Sequence, residues 1–580
     1  MRATNVSGFF VIAWLQLKCQ TKSSKTILIG KFSPLPLLFP PVILSLAMKT
    51  YAIHTFGCQM NYSDSERIET YLKCLGLKKA QQEKEADLVI FNSCSIRQKA
   101  EDRVIGKMHE LQSLKNQRKK KGKYLIIALT GCMVRKSSTK HTIKKNQDHF
   151  IKILKPLDVA FRIEELHKLK DLLLEASNKA CDKSCVRTTA KPLVTFEHQP
   201  ELERQPEPNK SATSSAFQKN AGSKSNTNRN ADYFHITQSY TQNFQAFIPI
   251  STGCDKFCTY CIVPYSRGRE VSRDPKEIYK EAEKLVKKGC KEITLLGQTV
   301  DSYGLSPIDR QKKLFDYNKI DTGDQAPPFV QLLESIDKLY AKGLRRLRFT
   351  SPHPKDVSQA LINCYGKLKT LMPHIHLPVQ SGDNACLKRM NRPYTRERYL
   401  EIIKALRKQL PDIAITTDII VGFCGETEKE FQNSVRLYKE VGFDFAYLAQ
   451  YSVRRGTFAA KHLENDVSRS EKARRWHKLN NLLTKITHEK LNKFVGKKVE
   501  VLVEKIASTN QANIAVQTLR AISRKPKNTA PNTALFTYLG RSPHMKEVQF
   551  VSPKKNLTGT LQKVKVTKTE NWLLHGGLTK

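Results

Sequence analysis

Tyr51 to Phe56 is a short run of apolar, β-branched and aromatic residues, the pattern of a strand, and Gly57-Cys58 ends it. Ser63-Asp64-Ser65-Glu66 has the form of a capping box and predicts a helix through about Cys74. Asp87 to Phe91 predicts a second strand, ended by Asn92-Ser93-Cys94, with a helix over Arg103 to Leu114 after it. Tyr124 to Leu129 predicts a third strand, ended by Thr130-Gly131-Cys132. Strand alternating with helix implies right-handed crossovers and a parallel sheet.

From about Val186 to Asp232 the pattern is lost in Ser, Asn, Lys, Gln and Pro, the composition of a flexible polar linker. It resumes at Phe244 to Ile250, which reads as a buried strand. Asp274-Pro275 opens a helix that stops at Gly289. Strand-like runs follow at Glu292 to Leu296, Leu344 to Phe349, His374 to Val379, Ile413 to Val421 and Phe445 to Tyr451. With helical segments between them they make a six-unit β/α pattern, a partial barrel whose chemistry belongs at the carboxyl ends of its strands. Val467 to Phe494 is helical, with Leu479, Leu482, Leu483, Ile486 and Leu491 on its apolar side. That helix reads as packed on the barrel with a solvated basic face, in preference to a dedicated RNA contact. Lys498 to Glu504, Leu535 to Leu539, Glu547 to Val551 and Gly559 to Thr567 suggest a small β-barrel, with an inserted loop at about Ala521 to Thr533.

The fold expected is therefore α/β and multidomain. The divisions are a parallel α/β domain over 48–172, a linker over 186–232, a partial barrel over 240–480 and a small β-barrel over 494–575. Residues 1–47 contain no Asp or Glu and precede Met48-Lys49-Thr50, which reads as a natural start. They are expected to be an extension outside the working protein, with a transit peptide as the alternative.

Charge adds a partner class. Lys+Arg 99 against Asp+Glu 54 gives +45, which favours polyanions, nucleic acid before anionic membrane. Phe9 to Leu15 and Leu35 to Leu46 are too short or too broken by proline to span a bilayer, so no membrane is expected. Fourteen cysteines without a small-scaffold pattern fit a reducing compartment and metal ligation.

The cysteines carry the chemistry. Cys254, Cys258 and Cys261 stand in C-x3-C-x2-C spacing just after a predicted strand. Three such thiolates can hold a four-iron cluster from one loop and leave one iron open. A zinc site or plain buried thiols are the alternatives; Tyr260 is placed to cover a bound cofactor. Cys58, Cys94 and Cys132 each fall just past the carboxyl end of a strand. In a parallel sheet those ends share one edge, so the three can converge on a second cluster, or be three unrelated core thiols. Cys181 and Cys185 read as bystanders.

The run from Gly253 through Cys254, Cys258 and Cys261 to Arg267-Gly268 resembles the radical S-adenosylmethionine (SAM) signature in its methylthiotransferase branch. His54 to Asn61, Asn92 to Arg97 and Gly131-Cys132-Met133 resemble the amino-terminal domain of the same enzymes, which is flavodoxin-like. Further matches are Leu295 to Gln298, Thr350 to Pro354, His376 to Gly382, Met390-Asn391-Arg392 and Val421 to Thr427. Gly540-Arg541 and the later basic strands resemble a TRAM domain, an RNA-binding module. The resemblance implies a radical SAM cluster on Cys254, Cys258 and Cys261 and an auxiliary 4Fe-4S cluster on Cys58, Cys94 and Cys132. It also implies SAM contacts from Tyr260, Gly297, Gln298, Gly425 and Glu426. Val134-Arg135-Lys136 and Tyr451 to Thr457 depart from the family pattern.

Three branches of that family act on isopentenylated adenosine in tRNA, threonylcarbamoylated adenosine in tRNA, and an aspartate of a ribosomal protein. Phe56 to Asn61 and Leu296-Gly297-Gln298 look most like the first. The expectation is a cytoplasmic, monomeric enzyme acting on tRNA with a flavodoxin- or ferredoxin-like electron donor. A non-catalytic RNA-binding iron–sulfur redox sensor is the reading from a different class.

Overall fold

The computed structural model describes residues 48–95, 98–134, 154–181, 193–194, 232–307, 326–507, 536–570 and 572–579. Residues 1–47, the loop near 521–533, Cys185 and most of the 186–232 linker lie outside them.

The amino-terminal layer is a parallel sheet in the order β2-β1-β3-β4-β5-β6. Its strands are β1 (Thr50–Phe56), β2 (Lys78–Lys79), β3 (Leu88–Ser93), β4 (Ile126–Gly131), β5 (Val159–Ala160) and β6 (Leu193–Val194). The central strands β3 and β4 are buried at every position, because helices cover both faces. Leu88, Ile90, Ile126 and Ala128 pack toward α1 (Gln59–Cys74) and α3 (Leu169–Cys181). Val89, Phe91, Ile127 and Leu129 pack on α2 (Gln98–Lys120).

Four expectations need correction here. Helix α1 begins at Gln59, not after Ser63, because Asn61 Oδ1 accepts the Cys58 N–H at 3.2 Å and starts the helix at the cysteine. Ser63 and Asp64 are thereby turned into the interior. Helix α2 is longer than Arg103 to Leu114, since its polar flanks are good helix formers. Helix α3 runs across the boundary placed at 172, and β6 lies within the segment read as linker, paired with β5.

The second layer has β7 (Gln245–Pro249), a short β8 (Ser251–Thr252) paired with β9 (Val271–Ser272), and α4 (Pro275–Lys287), capped by Asp274. It continues through β10 (Glu292–Leu296), β11 (Arg346–Phe349), β12 (His374–His376), β13 (Ala414–Val421) and β14 (Phe445–Gln450). These form two parallel three-stranded sheets, β7-β10-β11 and β12-β13-β14. A narrow seam joins them, where the Leu347 N–H donates to Thr370 O at 2.7 Å and the Met372 N–H donates to Leu347 O at 3.1 Å. The result is a six-strand partial barrel. Helix α5 (Arg469–Asn492) packs on β14 through Leu479 and Leu483, with Trp476 Nε1 donating to Leu448 O at 3.1 Å.

The carboxyl-terminal residues close a barrel in the order β15-β16-β17-β19-β18. Its strands are β15 (Lys498–Ile506), β16 (Phe536–Arg541), β17 (Glu547–Ser552), β18 (Leu561–Glu570) and β19 (Leu573–Leu578). β19 was not predicted, because its glycines weaken a strand pattern. A Cβ at Gly576 would lie 2.3 Å from Lys565 O, so the close strand approach there needs glycine. This barrel seals the amino end of the larger one. Arg348 donates to Pro543 O and Ser542 O, and Arg346 to Arg541 O, at 2.7–3.0 Å. The carboxyl strand ends are left to face the amino-terminal layer. No described helix is long and apolar enough to cross a membrane.

Candidate metal centre at the domain junction

Register brings the first three cysteines together. Phe56 pairs with Ser93, and Ser93 with Gly131, so Cys58, Cys94 and Cys132 all emerge from one edge of adjacent strands. The Cys94 N–H donates to Phe56 O at 2.8 Å and fixes the second loop on the first. Beneath them lies an amide pair, fully buried. Asn61 Nδ2 donates to Asn92 Oδ1 at 3.0 Å, and Asn92 Nδ2 donates to Asn61 O at 2.7 Å. Gly131 has φ +88°, and a Cβ there would meet Asn92 Oδ1 at 2.5 Å.

The second triplet sits on a loop closed by the β8–β9 pair. Gly253 has φ +80°, and a Cβ there would meet Arg269 O at 2.1 Å, so only glycine lets the loop fold back on itself. The Cys254 N–H donates to Gly268 O at 3.1 Å. The turn at residues 389–392 buttresses the loop: the Thr259 N–H donates to Met390 O at 3.1 Å, and Asn391 Nδ2 donates to Phe257 O at 2.9 Å. Arg392 Nη1 donates to Cys258 Sγ at 3.4 Å.

The donor chemistry fits iron–sulfur clusters. Burial pushes the Cys254 thiol well up, and the neighbouring Cys258 and Cys261 push it further. Burial and then Cys258 push Cys261 up to about 12. Thiols so placed cannot ionise together unless a cationic centre offsets their repulsion, which is what bound iron does. In the first triplet, the hydrogen bond with Cys94 and then the Arg267 guanidinium hold Cys132 at about 6 against burial. No three described His, Cys, Asp or Glu side chains form a group for a single metal ion. A cubane is a larger body that takes each thiolate on a different iron.

The two triplets are neighbours. Cys132 lies close enough to Cys261 to raise its pKa. Two buried ion pairs flank the meeting point. Arg267, six residues past Cys261, pairs through Nη2 with Asp64 Oδ2 at 2.5 Å, both nearly solvent-free. Tyr233 OH donates to Asp64 Oδ1 at 2.8 Å. Arg454, in the loop that departs from the family pattern, donates through Nη1 to Glu101 Oε2 of α2 at 2.9 Å.

Tyr260 makes edge contact with Phe423, at 6.2 Å between ring centroids, and Phe423 with Tyr451 at 5.0 Å, an aromatic wall beside the second triplet. Gly297 and Gln298 follow β10 at the same strand-end level; a Cβ at Gly297 would meet Ser251 Oγ at 2.6 Å, and Gln298 Oε1 is buried without a hydrogen-bond partner. Gly425 has φ +70°, its N–H donates to Asp466 Oδ1 at 2.8 Å, and its carbonyl accepts from Arg389. Glu426 Oε2 accepts from the Gly422 N–H at 2.6 Å and from Arg475 Nη1 at 2.8 Å, which commits that oxygen to shaping the 422–426 turn. Sequence reasoning gave no role to Asp64, Arg267 or Arg392. Asp64 and Arg267 find each other only across the junction, and Arg392 lay unassigned within a matched motif. Every cysteine whose side chain is described is free of disulfide.

A radical SAM superfamily model matches residues 248–438, and a model of an uncharacterized family, UPF0004, matches residues 50–152. A tRNA-2-methylthio-N(6)-dimethylallyladenosine synthase of Thermoanaerobacter sp. (strain X514) is 36% identical over 91% of this chain and 93% of its own length. A protein of the same name from Clostridium botulinum (strain Okra / Type B1) is 35% identical over 91% of this chain and 97% of its own. Among solved structures, the radical SAM methyltransferase TsrM from Kitasatospora setae, with cobalamin and a [4Fe-4S] cluster bound, is similar at 12% identity. Its TM-score is 0.45, over 71% of this chain and 77% of that one. With two matched domain models and full-length relatives above one-third identity, this chain belongs to the tRNA-2-methylthio-N(6)-dimethylallyladenosine synthase family of radical SAM enzymes.

Proposed function

We propose that this chain inserts a methylthio group at carbon 2 of N6-dimethylallyladenosine (isopentenyladenosine) beside the tRNA anticodon. The observation that carries the reading is two cysteine triplets, buried or partly buried, meeting at one junction, with Cys132 within electrostatic reach of Cys261. Cys254, Cys258 and Cys261 hold the radical SAM cluster, and Cys58, Cys94 and Cys132 the auxiliary one. Bound there, the two groups supply reductive cleavage of SAM on one side and a sulfur site on the other.

The chain's own residues bind, orient and exclude water. Tyr260, Phe423 and Tyr451 wall the second triplet with apolar surface, which protects a radical from solvent. Tyr260, Gly297, Gln298 and the Gly425 turn frame the SAM site; Glu426 holds that turn in shape. His376, Thr416, Asp418 and Tyr447 share the strand face turned away from the helices, in the register His376–Thr416 and Asp418–Tyr447. His376 Nδ1 lies 3.1 Å from Thr416 Oγ1, and Tyr447 is half exposed. This polar and aromatic wall suits an adenine taken out of its stack. The basic carboxyl-terminal barrel, read as a TRAM domain, holds tRNA phosphates. The proposal includes a flavodoxin- or ferredoxin-like electron donor, a monomeric enzyme and a cytoplasmic site.

Mass spectrometry of tRNA nucleosides from cells with and without the protein tests the reading. Loss of the methylthio mark from dimethylallyladenosine is expected; loss from threonylcarbamoyladenosine instead, or from neither, refutes it. In anaerobic assays Cys258→Ala abolishes deoxyadenosine formation, while Cys94→Ala retains it and stops sulfur insertion.

A further inference from the structure

The buried cations Arg267 and Lys256, near the cysteines, come with carboxylates. Arg267 has Asp64 and Lys256 has Asp356, and the partly exposed Arg269 has Asp255. Arg392 is the exception. It is 8% exposed, and among the described residues no carboxylate forms an ion pair with it. Its polar contacts are Nε to Tyr394 OH at 2.8 Å, Nη2 to Pro378 O at 2.9 Å and Nη1 to Cys258 Sγ at 3.4 Å. Two of these acceptors are neutral. They lock the plane of the guanidinium, since Tyr394 OH is itself tied to Val379 O at 2.9 Å. A guanidinium stays charged inside a protein, and a buried charge without an anion is costly. The one group in contact that becomes anionic is the Cys258 sulfur, when it ligates iron.

We propose that Arg392 is a positioning residue for the radical SAM cluster: it is the fixed counter-ion of the cluster-bound Cys258 thiolate and raises the cluster's reduction potential. The inference rests on the assignment of Cys254, Cys258 and Cys261 as cluster ligands. Reduction adds one electron, and so one negative charge, to the cluster. A donor and positive charge held against a ligand sulfur favour that reduced form, more so where water is excluded. Arg392 thereby eases entry of the electron that SAM cleavage needs, without touching substrate.

The test uses the full chain with Cys58, Cys94 and Cys132 changed to Ala, reconstituted anaerobically so that only one cluster is present. Iron content is measured first; a parent that binds none fails the ligand assignment, not this inference. With iron in place, an electron paramagnetic resonance titration against low-potential mediators compares the parent with Arg392→Gln and Arg392→Lys. Arg392→Gln is expected to shift the reduction equilibrium about tenfold toward the oxidised form, about 59 mV for one electron. Arg392→Lys, which keeps the charge but not the fork, falls between. A glutamine variant that loads iron and titrates with the parent overturns the proposal. If that variant loses its iron, the parent labelled with guanidino-15N arginine decides. A nitrogen coupling to the reduced cluster in electron–nuclear double resonance is expected, and its absence overturns the proposal.

Discussion

Asp64→Asn isolates the contact that joins the two cysteine-bearing halves. Asp64 is fully buried and accepts from Arg267 Nη2 and Tyr233 OH. Asparagine keeps the volume, but if its oxygen stays with Tyr233 its N–H groups face the guanidinium, donor against donor. Arg267 then carries its charge without a formal ion pair. Breaking a buried pair by removing one partner costs about 3–5 kcal/mol. The lower end applies here, because Glu164 and Cys132 also lie within electrostatic reach of Arg267. About 3 kcal/mol corresponds to more than a hundredfold rise in local opening, at about 1.4 kcal/mol per tenfold. Hydrogen exchange read by mass spectrometry is the assay. Peptides over 59–74 and 262–268 should exchange about a hundredfold faster, while those of the carboxyl-terminal barrel stay unchanged. Exchange within about twofold of the parent in both junction peptides would mean that the pair does not hold the halves together.

Three further outcomes follow from the same geometry. Asp444 receives Lys490 and Lys546, each at 2.7 Å; although burial raises its pKa, the two ammonium groups hold it at about 2. A depressed carboxylate stabilises above its unfolded pKa near 3.9, and the effect is lost as pH falls through about 2, so Asp444→Asn should cost about 2 kcal/mol at pH 7. Its urea-midpoint deficit should shrink between pH 4 and 2; a deficit constant with pH would refute the assignment. Gly131→Ala should lower auxiliary iron and Gly253→Ala radical SAM iron, because each new methyl meets neighbouring atoms at 2.5 Å or less; iron analysis showing full loading of both variants would contradict the reading. Arg348→Met removes donors from Ser542 O and Pro543 O and leaves Glu292 with one fewer partner, so the carboxyl-terminal barrel should loosen, seen as faster exchange in β16 and β17.

Much of the fold was written along the chain. Continuous apolar runs at Leu88 to Phe91 and Ile126 to Leu129 are buried strands, as their short length and flanking polar and glycine residues favour, and the helix from Pro275 kept its Asp274 cap and its stop before Gly289. The β12–β14 strands fell where β-branched and aromatic residues cluster. Elements whose sequence pattern is weak were lost: β6 is two residues in a polar stretch, and β19 is interrupted by Gly576-Gly577. The start of α1 was misplaced because a cysteine and an asparagine outcompeted the better-known serine cap.

The sequence by itself singled out the two cysteine triplets, because C-x3-C-x2-C spacing and repeated strand-end positions are local facts. It could not determine that Cys132 comes within electrostatic reach of Cys261, that Asp64 meets Arg267, or that Arg392 reaches Cys258 with no ion-paired carboxylate among the described residues. Those partners stand more than a hundred residues apart, and Cys132 and Cys261 lie on separate layers of the fold. Packing brings them together, and no periodicity within one stretch of chain encodes the distance between two stretches.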